Sequence, residues 1–491
     1  MPVSSGGVDW QLYALAMPTL TVRSPLPVPR EEAFAWHTRP GAFERLAPPW
    51  TRLHVVDPGA GVAEGSQLTF DAWRGPLRIR WVAHHFDVRP GVGFSDSQVR
   101  GPMRRWTHVH TFEGEGPTCR LVDEVRFDPP LGRVGGALAG GRLRTELERL
   151  FRFRHARLQA DLRRLRAFDT LRKSTRPLRI AVSGASGFLG AALHTVLSTG
   201  GHSVVRLVRH RSETPGEVLI APGAGSRGGQ IDLEPLEGLD VIVHLAGEPV
   251  SGRRWTKERM SRVRDSRVES TRLLSLAVSQ LRRPPAALVV ASGVGYYGDR
   301  GDELLSEDAG VGSGFFAELT RDWEAAAEPA RMAGVRTSHL RFGAVLGASG
   351  GLLGMLKPWH ALGLGMIAGP GTQWWSWIGL DDAISALMHA AADPSVAGPV
   401  NVVSPQAVTA QEFGATLARV LDRPLLARAP AWLIRLAAGG AADWALSSVR
   451  TVPAALRARG FEWATPTLDA ALRWELGLST AGDGVSVVWS R

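Results

Sequence analysis

Arg179-Ile180-Ala181-Val182 runs directly into Ser183-Gly184-Ala185-Ser186-Gly187-Phe188-Leu189-Gly190, and a helical stretch from Phe188 to Ser198 follows. An apolar strand that turns into a helix through three glycines at this spacing restricts the chain more than any other segment. The first glycine permits the tight turn, the second lets the backbone approach a pyrophosphate, and the third lets helix and strand pack closely. The helix N-terminus meets the phosphate charge. The loop predicts the start of a βαβ dinucleotide-binding unit, with Gly184, Ser186, Gly187, Phe188, Leu189 and Gly190 around the cofactor.

The chain beyond the loop keeps that promise. Apolar strands at Arg179–Ser183, Ser203–Val208, Val241–Leu245, Ala287–Ala291 and Thr337–Arg341 alternate with helical segments. This order predicts an α/β, Rossmann-type, doubly wound parallel sheet over 178–425. A small helical C-terminal domain is expected over 426–480, with a loose tail behind it. A polar, basic stretch over 169–177 reads as a linker. Ahead of it, residues 18–168 carry one helical piece at Arg30–His37, four alternating strands and a long closing helix, which predicts an α+β helix-grip domain.

The second strand of the βαβ unit ends Leu207-Val208-Arg209-His210-Arg211. A NAD site wants an acid there for the ribose hydroxyls. This chain has no acid until Glu213, and arginine pairs bidentately with a 2′-phosphate. The expected cofactor is therefore NADP, with Arg209 as the favoured contact. Asp232-Leu233 stands where a carboxylate can meet the adenine amino group. Leu245, Ala246 and Gly247 end the next strand and bring small residues to the cofactor ribose.

Composition narrows the classes. The 491 residues include 57 Lys+Arg against 47 Asp+Glu, a formal charge of +10. Only Lys173, Lys257 and Lys357 are lysines, and the arginines are dispersed except between Arg142 and Arg166. There Leu147, Leu150, Phe151, Leu158, Leu162 and Leu165 keep helical spacing, so an amphipathic helix with a solvated arginine face is preferred to a nucleic-acid surface. Cys119 is the sole cysteine, which excludes an internal disulfide framework. No run reaches membrane-spanning length, and Met1 to Ala16 lack the character of a signal peptide. These features predict a cytoplasmic protein that takes a small-molecule substrate, without nucleic acid and without stable membrane insertion. His84, His85, His108 and His110 alternate on strands, but no carboxylate or cysteine cluster stands beside them in sequence. They are expected to be structural or pocket-lining, and no metal is predicted.

Trp106-Thr107-His108-Val109-His110-Thr111-Phe112, Leu121-Val122-Asp123-Glu124-Val125 and Phe151-Arg152-Phe153-Arg154-His155 resemble the polyketide cyclase and lipid-transfer (SRPBCC, START-like) superfamily. That resemblance implies an apolar ligand in the first domain. From Leu178 to Leu478 the chain resembles the extended short-chain dehydrogenase/reductases, and within them the bacterial nucleoside-diphosphate-sugar-epimerase-like proteins. The carrying stretches are His244-Leu245-Ala246-Gly247-Glu248, Arg254-Trp255-Thr256, Ser292-Gly293-Val294-Gly295-Tyr296-Tyr297-Gly298, Asp322-Trp323-Glu324, Arg341-Phe342-Gly343 and Trp375-Ser376-Trp377. The resemblance implies a nicotinamide cofactor, with Ser292 and Arg341 near it.

One expected part is missing. Such enzymes use a Tyr-x-x-x-Lys pair, in which the lysine lowers the tyrosine pKa for proton exchange. The tyrosines are Tyr13, Tyr296 and Tyr297, and four residues on stand Met17, Arg300 and Gly301. Phe316 and Thr320 occupy the places of the pair. Ser292, Tyr296 and Tyr297 are the remaining catalytic candidates, with Glu248, Asp299, Lys357, His360 and Arg254 in nearby loops. Trp374, Trp375 and Trp377 suit a pocket or a core. Asp381-Asp382 suit a helix N-cap. Two functions fit: an NADP-dependent oxidoreductase or epimerase-like enzyme, and an NADP(H)-binding regulator or sensor without turnover.

Overall fold

The structure, a computed structural model, describes residues 18–130, 132–210, 216–221, 229–250, 254–479 and 484–490, with backbone alone for 132–139. Met1–Ala16, Tyr13, Arg211 and Glu213 lie outside these residues. Two compact units emerge: residues through Arg163 together with Gly477–Arg491, and Arg164–Leu476.

The first unit is built on one antiparallel sheet. Its strands are β1 (Thr19–Leu26), β2 (Leu53–Asp57), β3 (Gln67–Arg74), β4 (Leu77–Arg89), β5 (Gly93–Arg100), β6 (Arg105–Glu113), β7 (Cys119–Asp128) and β16 (Ser486–Ser490), in the spatial order β2-β3-β4-β5-β6-β7-β1-β16. Two short helices, α1 (Arg30–Thr38) and α2 (Ala42–Leu46), separate β1 from β2, and α3 (Gly132–Arg172) follows β7. Alternation decides which face is covered. On β1, Leu20 and Val22 point inward with Val125, Phe127, Leu147 and Phe151. The loose tail expected after residue 480 is instead an edge strand. Val487 and Trp489 pack on that core, and the Trp489 indole donates to Glu148 at 2.6 Å.

Helix α3 departs from expectation twice. Its arginine face is not wholly solvated: Arg157 is buried, with its guanidinium 4.9 Å from the Phe153 ring, and Arg164 is buried as well. It also runs to Arg172, so residues 169–172 of the expected linker form its last turn, held by an Arg172–Asp169 pair at 2.6 Å. Lys173 ends it with φ 53°.

The four histidines need a correction of a different kind. Carboxylates accompany His85, His108 and His110, brought from other strands. Asp96 on β5 pairs in register with His85 and His108, and Asp123 on β7 pairs with His110. Sequence spacing could not show this, because the partners are joined across the sheet and not along the chain.

The second unit is a twisted α/β layer. Its sheet holds β8 (Arg179–Ser183), β9 (Ser203–Val208), β10 (Glu217–Ala221), β11 (Gln230–Ile231), β12 (Val241–His244), β13 (Ala287–Gly293), β14 (Arg336–Phe342) and β15 (Gly398–Val402), in the order β11-β10-β9-β8-β12-β13-β14-β15. Every pair is parallel except β10–β11. Ile180, Ala181, Val182, Ile242, Leu288 and Val290 are almost wholly buried, as strands covered on both faces require. Chain order reverses between β8 and β12, and ligands of such sheets bind at the carboxyl ends flanking that reversal.

Residues 426–476 fall in the same compact unit as the sheet. Leu425–Ala429 pairs with Gly365–Ala368, and the Asp382 carboxylate accepts from the Ala464 and Thr465 amides at 2.8 and 3.0 Å. Asp382 is therefore no N-cap. Gly379 caps α7 (Leu380–Ala392), and burial pushes the Asp382 pKa up despite those bonds. No described helix is long and apolar enough to cross a membrane.

Candidate cofactor and substrate site

The glycine loop sits at the carboxyl end of β8 and opens α4 (Phe188–Thr199). Gly184 has φ +67°, a region closed to most side chains, and a Cβ there would lie 2.9 Å from the Leu245 carbonyl oxygen. A Cβ on Gly190 would lie 2.1 Å from the Gly184 carbonyl oxygen. No rotamer relieves such a contact, because both partners are backbone. Gly187 is less crowded, at 3.1 Å from the same oxygen. The three glycines thus form the close cradle that a pyrophosphate requires. Phe188 pins the loop from behind, where Cβ atoms on Gly347 and Gly350 would come within 2.5 and 2.6 Å of its ring.

Beneath the loop the Ser183 hydroxyl joins β8 to β12. It lies 2.7 Å from His244 Nδ1 and accepts from the Leu245 and Ala246 amides at 3.0 and 3.1 Å. These bonds present residues 245–247 beside the glycine turn. His244 is fully buried, and burial lowers its pKa to about 4. An unfolded imidazole titrates near pH 6.5, so the unfolded chain takes up the proton first as pH falls. The stabilising contribution is intact above pH 6.5 and lost between pH 6.5 and 4, by up to roughly 3 kcal/mol. Urea midpoints measured from pH 7.5 to 4.5 should show this slope, and His244→Gln should flatten it. An equal slope in both proteins would exclude His244 as its source.

Arg209 is exposed just past β9 and has no bond to a described side chain, whereas its neighbour Arg206 is committed to Glu217. Asp232 and Leu233 follow β11.

The catalytic candidates fare differently. Tyr297 is wholly buried. Its hydroxyl donates to Asn401 at 2.7 Å and accepts from Arg341 at 2.9 Å. Burial raises its pKa, the opposite of what a proton donor at neutral pH needs. Ser292 donates to Glu324 at 2.7 Å. Arg341 gives Nε and a terminal nitrogen to both oxygens of Glu324, each at 2.8 Å, and stacks on the Tyr296 ring at 3.5 Å. Burial by itself lowers the Arg341 pKa, but the Glu324 pair outweighs it and holds the group charged. Ser292, Tyr297 and Arg341 are therefore members of one hydrogen-bonded network with Glu324 and Asn401. The network was not foreseen because Glu324 and Asn401 arrive from α6 (Phe315–Ala325) and β15. Lys357 and His360 lie on a helix, Gly351–Ala361, where Lys357 donates to the Ala348 carbonyl ahead of it at 2.9 Å and His360 Nδ1 lies 3.0 Å from the Leu356 carbonyl, with Nε2 buried and unbonded.

What stands open is a cleft of about 190 Å³ at the carboxyl end of β13. Phe315, Phe316, Trp374, Trp375 and Trp444 give it aromatic walls, and Asp299 and Asp443 are its charged residues. Phe316, in the place of the absent tyrosine, is thus in the wall. Thr320 is buried and its hydroxyl donates to the Phe316 carbonyl at 2.7 Å. Trp377 is core, as one of its two readings allowed. Phe315, Asp443 and Trp444 were missed. The cleft is closed by a helix, Ala442–Leu446, far along the chain, and only the Trp374-Trp375 pair hinted at it.

Residues 180–403 match the NAD dependent epimerase/dehydratase family. Residues 83–162 match a domain of unknown function, DUF8410, and residues 429–475 match another, DUF1731. The epimerase family protein Mb2239 of Mycobacterium bovis is 37% identical over 294 residues, 60% of this chain and 96% of that protein. A crystal structure of a nucleoside-diphosphate sugar epimerase from Corynebacterium glutamicum is 32% identical, covers 94% of this chain and 91% of its own, and superposes with a TM-score of 0.76. Human epimerase family protein SDR39U1, solved with NADPH, is 31% identical over 61% of this chain and 99% of its own, with a TM-score of 0.55. The doubly wound sheet, its glycine cradle and relatives matched almost end to end place the chain in the NAD-dependent epimerase/dehydratase family.

Proposed function

We propose that the second unit binds NADP(H) and acts as an oxidoreductase on a hydroxyl or carbonyl group of a small, mainly apolar substrate held in the aromatic cleft. The observation that carries this reading is the backbone turn at Gly184, Gly187 and Gly190, whose close contacts leave no room for a side chain at Gly184 and Gly190 and little at Gly187. NADPH in the human relative supports it. Gly184 to Gly190 would hold the pyrophosphate, Arg209 the 2′-phosphate, Asp232 and Leu233 the adenine, and Leu245 to Gly247 the ribose. When bound, the nicotinamide supplies the hydride chemistry, and the chain supplies position and exclusion of water.

The cleft favours a small substrate over a nucleotide sugar. Its volume is near that of engineered cavities that hold benzene, of about 150 Å³. Its lining contains Asp299 and Asp443 and no lysine or arginine, so a diphosphate would meet like charge. With Phe316 in the tyrosine's place, these two carboxylates would accept the proton of a hydroxyl being oxidised, and water would supply the proton when a carbonyl is reduced.

The same Phe316 and Thr320 favour a second reading, in which the protein holds NADP(H) as a regulator without turnover. Absorbance at 340 nm, followed with NADPH and a panel of carbonyl compounds, separates the two. Consumption of NADPH with a ring-sized aldehyde or ketone is expected. Tight binding with no turnover across the panel selects the second reading, and failure to bind NADPH removes both. Arg209→Glu should reduce the preference for NADPH over NADH at least about tenfold in a fluorescence titration, and an unchanged ratio would remove Arg209 from the site.

For the first unit we propose a helix-grip module of SRPBCC type that takes an apolar ligand, on the order of short helices, antiparallel sheet and long closing helix. Solvent extraction and mass spectrometry of the purified chain test it, and the absence of any co-purifying apolar compound counts against it.

A further inference from the structure

We propose that Asp96, His108 and His110, on neighbouring strands of the first unit, bind a divalent transition-metal ion. The sheet register assembles the site. Asp96 on β5 faces His108 on β6, and His110, two residues on, shares that face. His108 Nδ1 lies 3.2 Å from Asp96 Oδ2, and His110 Nε2 lies 3.9 Å from the same oxygen. One ligand atom from each residue lies within 4.8 Å of the other two. A tetrahedral ion with bonds of about 2.0–2.1 Å spaces its ligands about 3.3–3.4 Å apart, so small side-chain movements suffice to close the site. Two imidazoles and one carboxylate suit zinc or a similar ion and not calcium or magnesium.

The far nitrogens carry the second argument. Asp123 lies behind both rings, with Oδ1 2.8 Å from His110 Nδ1 and Oδ2 3.5 Å from His108 Nε2. His155, itself 2.7 Å from the Ser24 hydroxyl, lies 3.1 Å from Asp123 Oδ2 and fixes that carboxylate. An ion held by His108 Nδ1 and His110 Nε2 leaves both other nitrogens as N–H donors toward Asp123. This is the outer-shell pairing that orients metal-bound imidazoles. Without an ion, His108 Nε2, His110 Nδ1 and Asp123 Oδ1 are buried and make no hydrogen bond of good geometry. His85, the cross-strand neighbour of Asp96, is also buried with Nδ1 unbonded, but it lies outside this cluster.

Access agrees. The Asp96 side chain keeps 15% of its surface exposed against 2% for Asp123, so solvent reaches the Asp96 side.

The test uses the full chain without a histidine tag, stripped with chelator and titrated with ZnCl₂ by calorimetry. One ion per chain is expected. Asp96→Asn should weaken binding at least about tenfold and Asp123→Asn about 10- to 100-fold, while His84→Asn, outside the cluster, leaves it unchanged. Failure of the unmutated chain to bind one equivalent overturns the site, as does binding that neither cluster variant alters. Because either variant can disturb folding, CoCl₂ with the unmutated chain provides an independent reading. Strong visible bands of a four- or five-coordinate ion are expected, and the weak spectrum of hydrated cobalt overturns the site.

Discussion

Replacing Gly190 with alanine is expected to weaken NADPH binding by at least about 100-fold, close to 3 kcal/mol. The added Cβ would stand 2.1 Å from the Gly184 carbonyl oxygen and 2.7 Å from its carbonyl carbon. Neither atom belongs to a flexible side chain, so α4 must shift away from the turn, and the cradle opens. Gly187→Ala meets only the Gly184 oxygen within the protein, at 3.1 Å, and should disturb the fold far less. Its methyl stands instead where the backbone must approach the pyrophosphate, so it too should weaken NADPH binding, with the fold intact. Fluorescence titration of both variants, with circular dichroism to confirm the fold, checks it. Wild-type affinity in Gly190→Ala would remove the loop from the cofactor site.

The second large effect is on stability. Arg341→Met should destabilise the second unit by about 3 kcal/mol, because it leaves the largely shielded Glu324 carboxylate with the Ser292 hydroxyl as its remaining donor. The Arg341 side chain is 4% exposed and that of Glu324 13%, so water replaces only part of the lost contacts. The damage spreads, since Arg341 also donates to Tyr297, and Tyr297 donates to Asn401. Ser292→Ala, which removes one donor to Glu324, should cost only about 1 kcal/mol. Adding Glu324→Gln to Arg341→Met should restore part of the loss, because the stranded charge is then gone. Urea unfolding of the unmutated chain, of Ser292→Ala, Arg341→Met and Glu324→Gln, and of the double variant measures this. A double variant as unstable as the sum of its parts would show that the pair does not act as a unit. The same experiment bears on function. If Tyr297 and Ser292 belong to this network, their loss lowers stability before it touches turnover.

The parallel layer could be read from the chain because its signals are local. β8, β9, β12, β13 and β14 are apolar runs set between helices, and the spacing places each within two residues of where it lies. The glycine loop was legible for the same reason, since strand, turn and helix follow one another within a dozen residues. In the first unit the strands of strong alternation were visible. β2, β5 and β16 were not, because their side chains alternate weakly or, for β16, because the strand lies hundreds of residues from the sheet it joins.

The site divides along the same line. Phosphate-binding geometry comes from consecutive residues and can be argued from spacing. Roles that depend on what a side chain meets across the fold cannot. Ser292, Tyr297 and Arg341 looked available for chemistry because each stands in a motif, and only the arrival of Glu324 and Asn401 shows them occupied. His108 and His110 looked like core residues because Asp96 and Asp123 are distant along the chain and adjacent only across strands.

By itself, then, the order of residues determined the doubly wound sheet, the phosphate cradle and the loss of the tyrosine–lysine pair, since each is a matter of period, spacing or identity along the chain. The tertiary structure alone decided which polar groups are spent on one another, where the aromatic cleft opens and which histidines have carboxylates for neighbours. Burial makes a polar group seek a partner wherever the fold brings one, and sheet register, not sequence distance, sets which partner that is.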